Sequence, residues 1–302
     1  MKCRVCRGEA VIDIRRHNAN FCAEHFLAYF RRQVQRAIEN HRMFAKEDRI
    51  LVAVSGGKDS LALWDVLLDL GYDASGLYLG LGIGGYSERS RMSARRFAQS
   101  KGALLIEEEV EDRLGGTIPE AAEKSRRSPC GVCGLTKRHL MDRVAVDKGF
   151  DVLATGHNLD DEAAVLFGNV IRWEMEYIAR QRPVLPEGGG FPRKVKPLFR
   201  LTERETAAWC VIRGIDYVVE ECPMAAGNRH LRYKELLDTL EEMSPGSKAE
   251  FVLGFIDRLS PLLGGDSPAR ELGTCSSCGA PTSSEVCAFC SLGERVRGAG
   301  RH

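Results

Sequence analysis

The sequence predicts an α/β fold built on a doubly wound parallel sheet, with a small module at each end of the chain. Three features support this prediction: short apolar segments alternate with helical ones, a glycine-rich turn follows one apolar segment, and cysteines cluster near both termini. The chain has 302 residues and 44% hydrophobic content, which suffices for a full core and for one large domain with appendages or two domains.

Four short apolar segments are predicted to form the strands of the sheet. They are residues 50–54, 75–79, 104–106 and 152–154. Helical segments separate them, among them residues 59–70 and approximately 135–148, and strands that alternate with helices form parallel sheets. Ligands bind such sheets at the carboxyl ends of the strands, so the loops after Val54 and Ala154 are candidate binding segments.

The turn after the first strand has the sequence S-G-G-K-D-S, at residues 55–60, and opens a helix. Glycines let backbone N–H groups approach an anion, and the helix N-terminus adds partial positive charge, so the turn predicts a phosphate site. A polar helix cap is the alternative, but a cap needs fewer of these residues. The spacing does not fit a Walker A loop. It resembles the PP-loop of ATP pyrophosphatases, a family in which the loop grips the pyrophosphate of ATP while an acceptor is adenylated.

A second polar segment, T-G-H-N-L-D-D at residues 155–161, follows the last predicted strand. Two aspartates that open a helix are usually explained by its dipole. Beside a phosphate loop, however, carboxylates are also typical Mg²⁺ ligands, so we expect Asp161 to hold Mg²⁺ together with Asp59. No role is assigned to His157, which often serves as a hydrogen-bonded residue at a strand end.

Ten of the eleven cysteines, with one histidine, fall into three groups. Two groups are paired quartets that suit closed, tetrahedral structural zinc sites, and neither leaves a coordination position for catalysis. They are Cys3, Cys6, Cys22 and His25 near the N-terminus, and Cys275, Cys278, Cys287 and Cys290 near the C-terminus. Free cysteines packed as small apolar residues are the alternative, and we expect Cys210 to be one of these.

The third group is Cys130-x2-Cys133, with Cys222 as its only plausible companion. Three cysteines can hold a 4Fe-4S cluster and leave one iron without a protein ligand. A redox disulfide between Cys130 and Cys133 would need no third cysteine, and it remains open at this point.

Composition limits the partners and the location of the protein. The formal net charge of +1 gives no global attraction to nucleic acid, so RNA contacts must come from local basic clusters. The candidates are Arg89, Arg91, Arg95, Arg96, Arg126 and Arg127, together with Arg193, Lys194, Lys196 and Arg200, which are predicted to lie in a Gly/Pro-rich loop after residues 187–190. The acidic run at residues 107–109 is interpreted as a solvated face. No apolar run approaches a membrane span, and a metal ligand follows Met1-Lys2 directly, so we expect a cytoplasmic protein with no membrane association.

Together, the S-G-G-K-D-S loop, Cys130-x2-Cys133, T-G-H-N-x-D-D, Cys222 and the flanking quartets resemble the tRNA 2-thiouridine synthetases of the TtuA/TtcA-type PP-loop family. The resemblance spans essentially the whole chain. The zinc modules match the TtuA branch, which thiolates the T-loop uridine at position 54, whereas the cytidine-thiolating TtcA branch lacks them. The related wobble-uridine thiolases share such modules and remain an alternative.

The resemblance implies adenylation of the uracil O2 by ATP, a 4Fe-4S cluster on Cys130, Cys133 and Cys222, and sulfur from the C-terminal thiocarboxylate of a ubiquitin-like carrier protein. It also implies a set of ATP-binding residues, to which Asp161 is added through Mg²⁺. They are Ala53, Ser55, Gly56, Gly57, Lys58, Asp59, Ser60, Leu79, Gly156 and Asp161. Lys137, one helical turn after Cys133, either neutralises phosphate charge during adenylation or is a solvated helix lysine. Catalytic roles are thus expected of Asp59, Lys137 and Asp161.

The expected organisation is an N-terminal zinc module at residues 1–28, a PP-loop catalytic domain at residues 29–265 and a C-terminal zinc ribbon at residues 266–302. Two other functions compete with thiolation. A non-catalytic zinc-module RNA-binding protein would need neither the two aspartates nor Cys130 and Cys133, and an amidating ATP pyrophosphatase would need an ammonia source that no segment supplies. The sequence is compatible with a homodimer.

Overall fold

The computed structural model describes residues 1–225, 227, 229–263 and 272–298. The chain begins with an antiparallel hairpin of β1 (Ile12–Ile14) and β2 (Ala19–Phe21), which helix α1 (Ala23–Asn40) follows. The buried face of α1, from Phe26 to Ile38, belongs to the main core. The helix therefore joins the N-terminal module to the central domain without a break, and it crosses the boundary expected at residue 28.

A six-stranded sheet forms the centre of the molecule. Its strands are β3 (Ile50–Val54), β4 (Ala74–Gly80), β5 (Leu105–Glu109), β6 (Val152–Thr155), β7 (Val184–Leu185) and β8 (Arg193–Val195). Their order is β5-β4-β3-β6-β8-β7, and every neighbouring pair is parallel except β7 with β8. The four predicted strands are thus present, and β3 lies between β4 and β6.

Helices cover both faces of this sheet. They are α2 (Lys58–Asp69), α3 (Gly84–Lys101), α4 (Val110–Leu114), α5 (Ile118–Ser125), α6 (Pro129–Asp147), α7 (Leu159–Ile171), α8 (Met175–Arg180), α9 (Glu203–Arg213), α10 (Arg229–Met243), α11 (Ser247–Gly254), α12 (Ser260–Leu263) and α13 (Ala288–Gly298). Among the described residues, no helix is long and apolar enough to cross a bilayer.

Side chains of β3 alternate between the two cores that these helices create. Ile50, Val52 and Val54 belong to one cluster of buried apolar residues, whereas Leu51 packs with Leu153 in a second cluster. A strand that is apolar on both sides is expected only where both faces of the sheet are covered. The predicted doubly wound α/β fold is confirmed.

Helix α6 begins earlier than the sequence predicts. The expected start is near residue 135, but α6 begins at Pro129, and both Cys130 and Cys133 lie in its first turns. The Ser128 hydroxyl accepts a hydrogen bond from the Gly131 N–H, and proline at the first helical position costs no backbone hydrogen bond. Cys130 and Cys133 are therefore held in a rigid helical geometry.

Two predictions about charged segments were wrong. Residues 193–195 are not part of a loop but form β8, because they pair with β6. The acidic run at residues 107–109 is not a solvated face, since it lies in β5 and its carboxylates pair with arginines. The pairs are Arg91 with Glu107 and Glu109, Arg95 with Glu107, and Arg113 with Glu108. Arg91 and Arg95, expected as RNA contacts, thus neutralise a strand.

The C-terminal module packs against α6. It contains a short hairpin of β9 (Gly273–Thr274) and β10 (Pro281–Thr282) followed by α13. The Phe289 ring stacks on the His139 ring with centroids 4.1 Å apart, and burial lowers the pKa of His139 to about 4. The neutral imidazole is therefore a flat apolar partner that fixes the module to α6. The boundary expected at residues 265–266 lies outside the described residues.

The N-terminal module is attached to α9 by a buried ion pair. Arg16 Nη2 donates to both carboxylate oxygens of Glu205, at 2.9 and 2.7 Å, and to the Tyr29 hydroxyl at 2.9 Å. Only 7% of the Arg16 side chain and 1% of the Glu205 side chain are exposed. Glu205 also caps α9 through the backbone N–H of Thr202. One carboxylate thus holds both the module and the start of α9.

We predict that Arg16→Met destabilises the protein by about 3–5 kcal/mol, because it leaves the buried Glu205 carboxylate without its cation. The free energy of unfolding, measured in urea, reports the loss. Arg204→Met is the matched control, since Arg204 is exposed and, within the described part of the chain, donates a hydrogen bond to the Asp13 carbonyl without pairing with a buried carboxylate. Equal stabilities of the two variants would show that the Arg16 ion pair contributes nothing.

Candidate active site

A cavity of about 520 Å³ lies at the carboxyl ends of β3, β4 and β6. Its lining combines predicted ATP-binding residues with Lys137 and with two of the predicted cluster cysteines. The predicted residues that line it are Ala53, Ser55, Asp59, Ser60, Leu79, Cys133, Lys137, Gly156 and Cys222. The other loop residues, Gly56, Gly57 and Lys58, are directly adjacent in the chain. Segments that are far apart in sequence therefore meet where ligands bind in parallel sheets.

A larger cavity, of about 750 Å³, lies on the other side of Glu203. Nine carboxylate side chains and five cationic side chains line it. An excess of negative charge disfavours a nucleotide triphosphate. The smaller cavity is the better candidate for ATP.

The loop between β3 and α2 has a fixed shape that requires glycine at position 56. Gly56 has a φ of +77°, and a Cβ atom there would lie 2.4 Å from the backbone oxygen of Ser90. Within the loop, the Ser60 hydroxyl accepts from the Ser55 N–H at 3.1 Å and donates to the Gly57 carbonyl at 2.9 Å. The loop is thus preorganised around Ser60, with the N-terminus of α2 behind it.

Gly156 allows the second polar segment to touch the first. A Cβ atom at Gly156 would lie 2.9 Å from the backbone of Asp59 and from the Ser60 nitrogen. Asn158, the next buried residue, donates its side-chain amide to Asp59 Oδ1 at 3.0 Å and its backbone N–H to Asp161 Oδ2 at 3.1 Å. Asn158 therefore links the two aspartates that are expected to share Mg²⁺.

Three carboxylates and two lysines form one charged network beside the loop. Lys58 Nζ lies 2.6 Å from Glu203 Oε1 and 3.2 Å from Asp59 Oδ2. Lys234 Nζ lies 2.6 Å from Asp161 Oδ1 and 3.0 Å from Glu203 Oε2. Glu203 thus bridges the two lysines, and each lysine also binds one aspartate.

The network shifts the pKa values of its carboxyl groups in opposite directions. Burial raises the pKa of Asp59, and the nearby charge of Asp161 adds to this rise against the opposing effect of Lys58. Burial alone would also raise the pKa of Glu203, but hydrogen bonds and charges from Lys58 and Lys234 outweigh this effect and lower the pKa of Glu203 to about 2. Asp59 and Asp161 offer carboxylate oxygens, the ligands that Mg²⁺ prefers, and a bound cation would favour the charged form of Asp59, so these residues fit Mg²⁺.

Sequence reasoning missed Glu203 and Lys234. Glu203 is in the first turn of α9, after the capping residue Thr202, where an acidic side chain is ordinarily explained by the helix dipole. Lys234 is an isolated lysine on α10. Their partners Lys58 and Asp161 are distant in sequence, so no local signal could have identified either residue.

The three cysteines of the third group converge at the rim of the cavity. Cys130 Sγ lies 3.5 Å from the carbonyl oxygen of Met224, two residues after Cys222. Burial raises the pKa of Cys133, and the nearby Cys222 and Cys130 thiols raise it further against the effect of Lys137. Cys130 and Cys133 are free thiols. This arrangement brings Cys222 to the pair, as a three-cysteine ligand set requires and a two-cysteine disulfide does not.

Lys137 lies one turn beyond Cys133 on α6 and lines the same cavity. Its ammonium group interacts with the Cys133 thiol and lowers the pKa of that thiol in part. Arg138 beside Lys137 lines the same cavity but is the more exposed of the two side chains. His157 also lines the cavity, where its Nδ1 lies 2.8 Å from the Thr155 hydroxyl.

Both terminal quartets have the spacing of tetrahedral zinc sites. Within the described chain, they are the groups of three or more potential ligands whose donor atoms all lie within 4.8 Å of one another. The Cys6 and Cys22 sulfurs are 3.8 Å apart, as are those of Cys278 and Cys287. Sulfurs at the corners of a tetrahedron with Zn–S bonds of about 2.3 Å are separated by about 3.8 Å.

Hydrogen bonds from the backbone favour the thiolate form of one cysteine in each quartet. Burial raises the pKa of Cys3, but hydrogen bonds from the backbones of Cys22, Cys6 and Val5 overcome this and lower it to about 6. In the C-terminal quartet, a backbone hydrogen bond from Cys287 lowers the pKa of Cys275 to about 6, although burial opposes it. Zinc binds thiolates, so both sites fit that metal. Cys210 is a buried core thiol, as expected, and burial raises its pKa to about 12.

We predict that Gly56→Ala weakens ATP binding at least roughly tenfold, because its Cβ would displace the loop from Ser90 and misplace the phosphate donors. Calorimetric titration with ATP measures the effect. Gly102→Ala is the matched control, since Gly102 also has a positive φ (+60°) but a Cβ atom there would meet no atom within 4 Å. Unaltered ATP affinity in Gly56→Ala would mean that the loop does not bind the nucleotide.

Cys275→Ser should remove one zinc ion per chain and lower the stability of the C-terminal module, because structural zinc supplies folding free energy to small modules. Elemental analysis of the purified variant gives the zinc content. Cys210→Ser, which alters a core thiol outside both quartets, should keep all zinc. Iron in place of zinc at the C-terminal quartet would contradict the assignment.

Comparisons with known proteins identify the family. A family model described as the N-terminal LIM domain of the 2-thiouridine synthetase TtuA matches residues 2–27. The tRNA-5-methyluridine(54) 2-sulfurtransferase of Thermus thermophilus is 47% identical over 98% of this chain and 92% of its own length. The enzyme of the same name from Pyrococcus horikoshii is 46% identical, with coverages of 96% and 93%. The solved structure of the U34-tRNA thiolase NcsA from Methanococcus maripaludis, with its 4Fe-4S cluster, has a TM-score of 0.84 and 27% identity over 97% of this chain and 96% of that one. The chain belongs to the TtuA-type tRNA 2-thiouridine synthetases, the family of the tRNA-5-methyluridine(54) 2-sulfurtransferases.

Proposed function

We propose that this protein is an ATP-dependent tRNA sulfurtransferase that converts the T-loop uridine at position 54 to 2-thiouridine. One observation carries the proposal: the phosphate loop and the cysteines Cys133 and Cys222 line a single cavity. An activated substrate formed at the loop therefore stays beside the sulfur chemistry. Neither a non-catalytic RNA-binding module nor an amidating enzyme needs that juxtaposition.

Adenylation explains why ATP is required. The uracil O2 is a poor leaving group, and transfer of AMP to it makes a phosphate ester that sulfur can displace. In this proposal, the backbone N–H groups at the start of α2, around Gly57, hold the phosphates, and Asp59 and Asp161 hold Mg²⁺. Lys137, which lines the same cavity, would neutralise charge that develops on the transferred phosphate.

Glu203 is proposed to position the cations of the site. It binds Lys58 and Lys234 at once, and through them it is connected to both aspartates. Phosphate oxygens compete for the same ammonium groups, so Lys58 can exchange Glu203 for ATP without leaving a buried charge unpaired. Glu203 itself remains ionised because its pKa is near 2.

Cys130, Cys133 and Cys222 are proposed to hold a 4Fe-4S cluster, whose fourth iron, lacking a protein ligand, would supply a sulfur nucleophile out of contact with water. Their sulfurs do not form a group as tight as the zinc quartets, and each cysteine of a four-iron cluster binds a different iron. Because Cys133 and Cys222 line the same cavity as the loop at residues 55–60, a cluster held by these cysteines would lie close to the activated substrate. The relative NcsA carries such a cluster.

Thiolation at the wobble position is the second candidate function. Its support is the likeness to a U34-tRNA thiolase at 27% identity, against 47% for the T-loop enzyme of Thermus thermophilus. We therefore favour position 54. Analysis of tRNA fragments by mass spectrometry after deletion of the gene decides, because the deletion should remove the 2-thio group from position 54 and leave position 34 unaffected; the reverse pattern would overturn the assignment.

The proposal includes a ubiquitin-like carrier protein whose C-terminal thiocarboxylate supplies sulfur. Its support is chemical, since a thiocarboxylate delivers sulfide without an external reductant. A cytoplasmic location suits eleven unpaired cysteines, which need a reducing compartment. A homodimer also stays a prediction, and light scattering on the metal-loaded protein measures it.

Cys222→Ser should lose the visible absorbance of the cluster and all thiouridine formation, while ATP binding survives because the loop uses other residues. Anaerobic reconstitution followed by iron analysis and nucleoside assay gives both readouts. Cys210→Ser is the control, because Cys210 is a buried thiol outside the cluster group. An active Cys222→Ser enzyme without iron would end the cluster hypothesis and favour a disulfide between Cys130 and Cys133.

A further inference from the structure

Trp173 combines an unusual backbone conformation with an exposed ring. It follows the end of α7 with a φ of +54°, a left-handed conformation that is uncommon for a bulky side chain. Its surface is 77% exposed, whereas the other two tryptophans of the chain, Trp64 and Trp209, are fully buried. Packing therefore does not explain why a large aromatic residue occupies this position.

The backbone around Trp173 forms a helix-closing motif that ordinarily contains glycine. The Trp173 N–H donates to the Val170 carbonyl at 3.1 Å, and the Glu174 N–H donates to the Asn169 carbonyl at 3.0 Å. These two bonds define a Schellman motif in which the left-handed residue is usually Gly. Glycine would adopt this conformation at the end of α7 without steric cost. Tryptophan is therefore less favourable than glycine for the stability of the fold at this position, and burial of its ring does not offset the difference.

Exposed apolar side chains continue around Trp173. Ile171 is 52% exposed, Met175 is 49% exposed and Tyr177 is 63% exposed. With Trp173 they form what we call the Trp173 patch, residues 171–177. Single exposed apolar residues are normal, but a contiguous group with a strained aromatic residue indicates a binding surface.

Arginines accompany the patch. Four exposed arginines lie on or near this part of the chain: Arg172 in the patch, Arg180 at the end of α8, and Arg229 and Arg232 at the start of α10. The N-terminal part of α10 packs against this end of α7, because a Cβ atom at Gly168 would lie 2.8 Å from the Tyr233 ring. The charge of Arg172 also acts on His230 of α10: burial lowers the pKa of His230 most, and Arg172 lowers it further. Two acidic residues, Glu174 and Glu176, reach Arg172 and Arg180 only at 3.9 Å. Cations therefore outnumber anions here.

We propose that the Trp173 patch is a second tRNA contact, in which an unstacked base stacks on the Trp173 ring and the arginines bind the adjoining phosphates. Exposed aromatic rings beside arginines are the usual surface for unpaired bases. The inference rests on the proposed function and assigns an RNA-binding element to it. A second copy of the chain is a poorer occupant, since a symmetric contact would bring like-charged arginines together.

The Trp173 patch and the cavity are close enough for one tRNA molecule to contact both. Helix α7 has 13 residues and begins in the active site with Asp161 in its first turn. At about 1.5 Å per residue, the patch lies about 20 Å from that end. A folded tRNA is large enough to touch both places, so the patch can orient the substrate without participating in the reaction.

Tryptophan fluorescence tests the contact directly, because Trp64 and Trp209 are buried and collisional quenching by acrylamide reports chiefly Trp173. Titration of the metal-loaded full chain with transcribed tRNA, without ATP, should protect Trp173 from acrylamide. Trp173→Phe, which lacks the exposed fluorophore, should show no such change. Absence of protection at saturating tRNA overturns the proposal. Protection that rises with protein concentration in the absence of RNA also overturns it, because a second copy then covers the ring.

Trp173→Gly separates binding from folding. Loss of one stacked base should raise the Kd for tRNA by roughly five- to a hundredfold, while the Tm should be no lower than that of the wild type, since glycine relieves the left-handed strain. Trp173→Phe retains an aromatic ring and should stay within a few-fold of the wild-type Kd. If Trp173→Gly binds tRNA as tightly as the wild type, the inference is wrong even if the wild type thiolates tRNA. If the wild type binds tRNA at Trp173 but does not thiolate it, only the proposed function is refuted.

Discussion

Close backbone contact between two loops at the edge of the sheet is the constraint on which the site depends. β3 and β6 are neighbouring parallel strands, so the segments that follow them leave the sheet side by side. Gly56 lies against the backbone of Ser90 and Gly156 lies against the backbone of Asp59, distances that exclude any side chain. The phosphate loop, the two aspartates and Asn158 can be assembled only because these glycines let main chains touch. The lysine and carboxylate network then holds this assembly from the side of α9 and α10.

The terminal modules are attached to two helices that carry residues of the site or bind them: α6 lines the cavity, and α9 contacts Asp59 and Lys58. The C-terminal module packs through Phe289 on α6, the helix that carries Cys133 and Lys137. The N-terminal module binds α9 through Arg16 and Glu205, two residues after Glu203 and next to Thr206, whose hydroxyl donates to Asp59. A closed structural zinc site has no open coordination position for chemistry, so zinc bound at the quartets would serve to make the modules rigid supports for these two helices. This connection explains in physical terms why a catalytic domain would have a metal module at each end.

Local patterns in the sequence were sufficient to predict the sheet and the grouping of the two terminal quartets, because each has a characteristic residue order or spacing. The ligands of the loop at residues 55–60, of the quartets and of the three separated cysteines stay predictions. Contacts between distant segments were not predictable. Lys58 and Glu203 are 145 residues apart, and nothing near either residue indicates the other. Arg91 and Arg95 formed a basic cluster in the sequence, but partners on β5 neutralise them. The early start of α6 depends on one serine cap and one proline, which the apolar pattern of the helix does not reveal.

The central claim is that one cavity holds both ATP and an iron–sulfur cluster, while zinc occupies the ends of the chain. Anomalous diffraction from crystals of the anaerobically reconstituted protein with a non-hydrolysable ATP analogue, recorded at the iron and zinc edges, tests it most directly. The account predicts iron beside Cys130, Cys133 and Cys222, zinc at both terminal quartets and the analogue's phosphates on the loop at residues 55–60. Iron at a terminal quartet, or no iron beside Cys222 while the analogue is bound, would contradict it.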